Sequence, residues 1–172
     1  HVHVDAVQAI GKIKNWDKAL DGLDAYTFSG HKFGAMKGVG FSFVQPSFKF
    51  CPLVRGGGQQ ESLRSGTENT TAIYSLKLAL EELVQKFDYD SLNTAKMYIE
   101  SEIKKLSDKK FIVVGENATH RNANTIYVLI EGKKADTTMT AFDLAQMDVS
   151  SGSACSSGSI KASRVLKAMG FS

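Results

Sequence analysis

A single cysteine, Cys155, sits in a run of serine, glycine and alanine, Ser150-Ser-Gly-Ser-Ala-Cys-Ser-Ser-Gly-Ser159. Such a stretch has no side chains with which to pack a core, so the sequence predicts a thiol displayed on a solvent-reachable loop. Most free cysteines are instead buried as small hydrophobes. Far upstream, Ser29-Gly-His-Lys-Phe-Gly34 sets a lysine among polar groups and glycines, directly after an apolar run. A displayed thiol and a loop lysine on one chain point to covalent catalysis by two nucleophiles in different roles. Each residue alone has a plainer reading: an inert cysteine, a solvated lysine. Their combination argues for chemistry.

Lys32 has the surroundings that a Schiff-base lysine needs. Such a lysine sits in a partly desolvated pocket that lowers its pKa, with a partner aldehyde held in place. Ser29 and His31 are near enough in sequence to bind an anion beside that aldehyde, and Gly30 and Gly34 let the backbone approach closely. Asp5, ending a strand-like stretch, would face the crevice where α/β sheets bind ligands. There its carboxylate could keep a pyridine nitrogen protonated, with Gln8 one turn further on. A pyridinium partner, a phosphate cradle and a Schiff-base lysine are the parts of a pyridoxal phosphate site.

The elements that must position these residues can be read from periodicity. Val2 and Val4 alternate with His1, His3 and Asp5, predicting a short strand. A helical or turn segment follows from Ala6 to about Leu20, then strands at Ala25–Phe28 and Gly38–Val44, the latter ended by Pro46. Gly56-Gly-Gly58 marks a loop that needs unusual backbone angles. Apolar residues at Ile73, Leu76, Leu80, Leu83, Val84 and Phe87 make one stripe of a helix capped by Asn69 or Thr70. Leu92, Ala95, Ile99, Ile103 and Leu106 make a second, and both stripes read as core. Strands at Phe111–Val114 and Asn124–Ile130, a helix near Thr138–Met147, a short strand at Asp148–Ser151 and a helix over Ser163–Ala168 complete an α/β chain. The break at Asp88–Ser91 divides the prediction into residues 1–88 and 89–172.

Composition excludes more than it identifies. The chain has 172 residues, is 42% hydrophobic and 23% charged, and carries a net charge of +3. Lys and Glu are interleaved rather than clustered, which implies no nucleic-acid partner. No apolar run is long enough to span a bilayer, so no membrane is implied either. Two cysteines without a CxxC suggest neither a disulfide framework nor a zinc site, and fit a reducing intracellular compartment. Cys51, beside Pro52 with no nearby base, reads as structural. The chain opens without methionine and already inside a strand-like alternation, which predicts a piece of a longer protein.

His3-Val-Asp-Ala-Val-Gln-Ala-Ile-Gly-Lys12, Phe28-Ser-Gly-His-Lys-Phe-Gly34, Gly56-Gly-Gly-Gln59, Leu63-Arg-Ser-Gly-Thr-Glu-Asn69 and Ser150-Ser-Gly-Ser-Ala-Cys155 together resemble the cysteine desulfurases of the NifS/IscS family. Each block alone is moderately specific, whereas the ordered set is highly specific and runs over nearly the whole chain. The resemblance implies part of the large pyridoxal-phosphate-binding domain of fold type I, a mostly parallel sheet with flanking helices, over residues 1–88. Residues 89–172 would form a smaller α+β domain carrying the cysteine loop. It implies that Lys32 holds pyridoxal 5'-phosphate and moves the substrate's Cα proton. Asp5 would pair with the pyridine nitrogen, Gln8 with the phenolic oxygen, and Ser29 and His31 with the phosphate. Thr67 would reach the phosphate of a partner subunit's cofactor in a homodimer. Cys155 would take sulfur from L-cysteine as a persulfide and release alanine, the sulfur passing to an acceptor or iron–sulfur scaffold protein in the cytoplasm.

The pattern also departs from the family. Nothing here corresponds to its N-terminal half, with the histidine that stacks on the cofactor ring, or to the arginine segment that binds the substrate carboxylate. Arg164 is not a substitute for that arginine, and Arg64 either serves the cofactor or braces the Gly66 turn. Three other readings follow: a catalytically inactive piece acting as a sulfur carrier, a selenocysteine lyase, or an aminotransferase of the same fold type. Retention of Lys32, Asp5 and Gln8 disfavours the carrier, and the Cys155 loop disfavours the aminotransferase.

Overall fold

The computed structural model describes residues 1–106, 111–152 and 163–171. Cys155 and most of its Ser/Gly run lie outside the described residues. The chain divides into two compact units, His1–Lys105 with Val113–Tyr127, and Leu106–Ile112 with Val128–Ser172.

The first unit is built on a three-stranded sheet in the order β1-β2-β3, with β1 at His3–Asp5, β2 at Ala25–Ser29 and β3 at Gly40–Val44. In β1 the two-residue alternation leaves His3 and Asp5 exposed while Val4 is half-buried. β1 runs parallel to β2, pairing Val4 with Tyr26 and Asp5 with Thr27. β2 and β3 are antiparallel, pairing Phe28 with Phe41 and Ser29 with Gly40. Gly40 is required by this pairing, because a Cβ there would fall on the Phe28 carbonyl oxygen.

Residues 6–15 return from β1 as a series of turns, with Ala9 N–H donating to the Ala6 carbonyl at 2.9 Å and Lys12 N–H to that of Ala9 at 3.0 Å. A single helical turn, α1 (Trp16–Ala19), follows. This connection lays Ala6, Ala9, Ile10 and Leu20 against Phe28, the core cluster of the unit. Trp16 meets Phe28 edge-on at 5.3 Å between ring centroids.

Helix α2 (Thr70–Lys86) begins where Asn69 accepts the Ala72 N–H at 3.1 Å and buries Ala72, Leu76 and Ala79. The predicted stripe is only partly core: Leu76 is buried, but Ile73 is 45% and Val84 88% exposed. Helix α3 (Tyr89–Lys105) departs further from the pattern. Its buried residues are Lys96 and Glu100, while Ile99 is 48% exposed and Leu106, just past its end, 60%. The polar face wins because residues 121–122 offer it charge-assisted hydrogen bonds, and no described element covers the apolar stripe.

Further along, β4 (Phe111–Val113) pairs with β5 (Val128–Ile130), and α4 (Ala135–Leu144) and α5 (Arg164–Ala168) follow. The predicted strand at Asn124–Ile130 shortens to its last residues. The predicted strand at Asp148–Ser151 does not form: these residues have no regular structure. Gln146 turns the chain at φ 56 just before them. No helix among the described residues is long and apolar enough to cross a membrane.

Candidate functional site

Lys32 lies in the 3-10 turn Gly30–Phe33, which continues straight from β2. Two bonds seat the turn: Gly30 N–H donates to the Val39 carbonyl at 2.9 Å, and Ala35 N–H to that of Gly30 at 3.0 Å. Gly30 is itself buried, and a Cβ there would meet Leu76 Cδ2 at 2.7 Å. Gly34 closes the turn at φ +101, a left-handed conformation that disfavours other residues. The two glycines of this motif are therefore needed for packing and for turning respectively.

Ser29 Oγ and His31 Nδ1 are 3.0 Å apart, so a hydroxyl and an imidazole converge at the end of β2. Lys32 is half-buried beside them and His31 is exposed. Asp5 is the last residue of β1, paired with Thr27, two residues before Ser29. With ordinary strand spacings, the Asp5 and Ser29 backbones are about 8 Å apart. The carboxylate and the Ser29–Lys32 group thus share the carboxyl ends of two parallel strands, where open α/β sheets hold ligands. Asp5 Oδ1 also accepts the Val7 N–H at 3.1 Å, which orients it. Behind it, His3 Nε2 lies 2.8 Å from Thr27 Oγ1, itself 3.0 Å from Ser42 Oγ.

Gln8 is exposed one turn of chain beyond Asp5, with no side-chain hydrogen bond among the described residues. Thr67 is exposed in the stretch ahead of α2. Around it, Arg64 Nη1 donates to the Ser65 carbonyl at 2.7 Å, Ser65 Oγ to that of Gly57 at 2.8 Å, and Gly66 N–H to Gln59 Oε1 at 3.2 Å. Arg64 therefore braces the Gly66 turn. Gly56 has φ +154, and Gln60, Glu61 and Ser62 adopt positive φ, so strained angles extend past the glycine run. Cys51 is exposed, with Arg55 Nη2 at 3.7 Å from its sulfur.

Lys12 is the residue near the site that motif reasoning passed over. It is 9% exposed, and its Nζ donates to the Lys32 carbonyl at 2.7 Å. Burial first, and then the Lys32 charge, lower its pKa below the usual lysine value. Lys12 closes the first motif, but its bond is to a backbone carbonyl, which no residue pattern signals.

A cleft of about 600 Å³ lies between α3 and residues 116–121. Its charges are already paired: Arg121 binds Glu100 through two bonds of 2.9 and 2.7 Å, and Lys104 binds Glu116 at 2.7 Å. Lys96, 5% exposed, donates to the Asn122 carbonyl at 2.5 Å. Its pKa is lowered by burial and then by Arg121, with Glu100 opposing.

A mixed sheet with helices, presenting Asp5 and the Ser29–Lys32 group at one end of its parallel pair, is the α/β architecture of the fold-type-I enzymes. The chain belongs to the class-V aminotransferase family, whose profile matches residues 1–172. It is 35% identical to cysteine desulfurase IscS of Dictyoglomus turgidum, over 98% of this chain and 43% of that protein. A NifS-like protein from Rickettsia africae superposes with a TM-score of 0.80 at 34% identity, covering 99% of this chain and 44% of the other. SspA, solved in complex with cysteine, superposes with a TM-score of 0.70 at 27% identity, covering 99% and 46%. The chain spans less than half the length of these relatives.

Membership of this family implies pyridoxal phosphate, and the donor set fits it. A hydroxyl and an imidazole 3.0 Å apart suit a phosphate, a carboxylate on the neighbouring strand, its backbone about 8 Å from that of Ser29, suits a ring nitrogen, and a half-buried lysine adjoins the hydroxyl and imidazole.

Proposed function

We propose that this chain is the pyridoxal-phosphate-binding and sulfur-accepting part of a cysteine desulfurase, acting within a longer polypeptide. The observation that supports this most is the joint placement of Asp5 and Ser29–Lys32 at the carboxyl ends of two parallel strands. The cofactor supplies an electron sink for the electrons left on the substrate's Cα. Asp5 holds the ring nitrogen's proton, and Gln8 donates to the phenolic oxygen. Ser29 and His31 bind the phosphate. Lys32 would hold the cofactor covalently through Nζ, and its amine would move the substrate's Cα proton. Thr67 reaches the phosphate of the partner subunit's cofactor in a homodimer.

Cys155 is the acceptor. As thiolate it attacks the sulfur of L-cysteine; the S–S bond forms as the Cβ–S bond breaks, leaving a persulfide and, after protonation, alanine. A thiolate forms more readily on a polar loop than in an apolar core. The persulfide is then passed to an acceptor protein for iron–sulfur cluster or related cofactor assembly, in the cytoplasm. In the intact enzyme residues 1–88 belong to the large domain and residues 89–172 to the small one.

The test is made on the full-length polypeptide. Cys155→Ser abolishes persulfide formation and leaves the coloured, cofactor-loaded protein intact; Lys32→Ala abolishes borohydride trapping of the cofactor. Undiminished release of alanine from L-cysteine by Cys155→Ser would refute the mechanism.

A further inference from the structure

A four-residue 3-10 turn leaves its last carbonyls without partners inside the turn. Here the Lys32 carbonyl is taken up by a side chain from another segment, Lys12 Nζ at 2.7 Å. Burying a lysine to 9% exposure costs free energy that a lone backbone contact at the surface would not demand. The same residue is held from its other side: its own carbonyl accepts the Ala123 N–H at 2.7 Å. Ala123 is 1% exposed and follows two residues that are also fastened, Arg121 to Glu100 and Asn122 to Lys96. Three consecutive residues are thus clamped, two to α3 and one to Lys12. The chain of bonds runs from α3 through residues 121–123 and Lys12 to the main chain of Lys32.

We propose that Lys12 is a positioning residue for Lys32: it fixes the turn that carries the reactive amine and ties it to the Arg121–Ala123 segment. This rests on the proposed role of Lys32. Lys12 makes no contact with substrate in this assignment; it acts through the Lys32 carbonyl alone. The residue type is specific. A shorter donor would not span the gap, and an apolar side chain would leave a half-buried carbonyl unbonded.

The test compares Lys12→Met and Lys12→Arg with the unmodified enzyme in the full-length, cofactor-loaded protein. Methionine keeps the volume and removes the donor; arginine keeps a donor. Amide exchange at Gly34 and Ala35, which close the turn, rises about tenfold in Lys12→Met, as expected for loss of one charge-assisted hydrogen bond. Exchange in the middle of α2 stays as it was. Turnover of L-cysteine falls about tenfold in kcat, since sub-ångström displacement of a reacting group is costly. KM stays within twofold, and Lys12→Arg recovers most of both losses. Unchanged exchange at Gly34 and Ala35 overturns the proposal. So does a uniform rise across the whole sheet, or failure of both variants to fold, since either marks a merely structural lysine. If the unmodified enzyme releases no alanine from L-cysteine, the proposed function fails while the exchange measurement still decides on Lys12.

Discussion

Gly30 opens the turn that carries Lys32, and one added methyl group tests how tightly that turn is seated. A Cβ at Gly30 would stand 2.7 Å from Leu76 Cδ2, 3.0 Å from Ala35 Cβ and 3.0 Å from the Val39 carbonyl oxygen. Carbon pairs are most stable near 3.5–4.0 Å, so the first contact is about 0.8 Å too short. Leu76 is 7% exposed on α2 and cannot swing into solvent. The Val39 oxygen is backbone, already bonded to Gly30 N–H at 2.9 Å. Overpacking at such a site costs about 1–3 kcal/mol. If the turn moves instead of Leu76, Lys32 is displaced and activity falls by up to about a hundredfold. The assay is urea unfolding of the full-length protein carrying Gly30→Ala, followed by circular dichroism, with borohydride trapping at Lys32 in parallel. Leu76→Ala alone costs about 2–5 kcal/mol by opening a cavity. In the double variant the new methyl occupies part of that cavity, so the two losses fall short of their sum by about 1 kcal/mol. Strict additivity, or a Gly30→Ala loss below about 0.5 kcal/mol, would show that the turn is not packed as described.

Other outcomes follow from the charges around α3. Glu100→Gln leaves Arg121 and Lys96 together without a counter-charge, and lowers stability by about 3–5 kcal/mol in denaturant unfolding; Glu100→Asp recovers part of this. Asp88 accepts the Ser91 N–H at 3.0 Å and its hydroxyl at 2.7 Å, and these bonds lower its pKa below the usual carboxylate value. Its contribution is present above the unfolded-state value of 3.8 and disappears as pH falls through the lower folded value. An acid titration of helicity therefore shows a difference between the native protein and Asp88→Asn near neutral pH that closes in acid.

What the sequence made legible is uneven for a physical reason. β1, β2, β3 and α2 with its Asn69 cap lie where periodicity and capping chemistry placed them, because their local preferences agree with their packing. α3 was legible as a helix but not in its orientation: period counting assigns Ile99 and Leu106 to a core, whereas Lys96 and Glu100 are the buried pair. Apolar periodicity cannot weigh a bidentate ion pair 21 residues away in sequence. β5 likewise begins only at Val128, four residues later than the alternation suggests. The strand expected at Asp148–Ser151 fails similarly, being inferred from local composition without a partner. In the candidate site, Lys32, Ser29, His31 and Asp5 were legible as residue types; the motif did not reveal Lys12, whose role rests on a bond to a backbone carbonyl that carries no sequence signature.

The position of Trp16 turns the core into an optical instrument. It is the only tryptophan among the 172 residues, and its ring lies edge-on against Phe28, the residue immediately before Ser29. Its emission reads the polarity of the layer directly beneath the Lys32 turn, so a blue-shifted band would report a dry, closed sheet and a red-shifted one its opening to water. A phosphorylated pyridine bound by Ser29 and His31, as proposed, would absorb where indole emits and dim that band by energy transfer. Cofactor loading, and its loss in any variant of the turn, can thus be followed by light from a residue the chain already contains, with no label and no turnover.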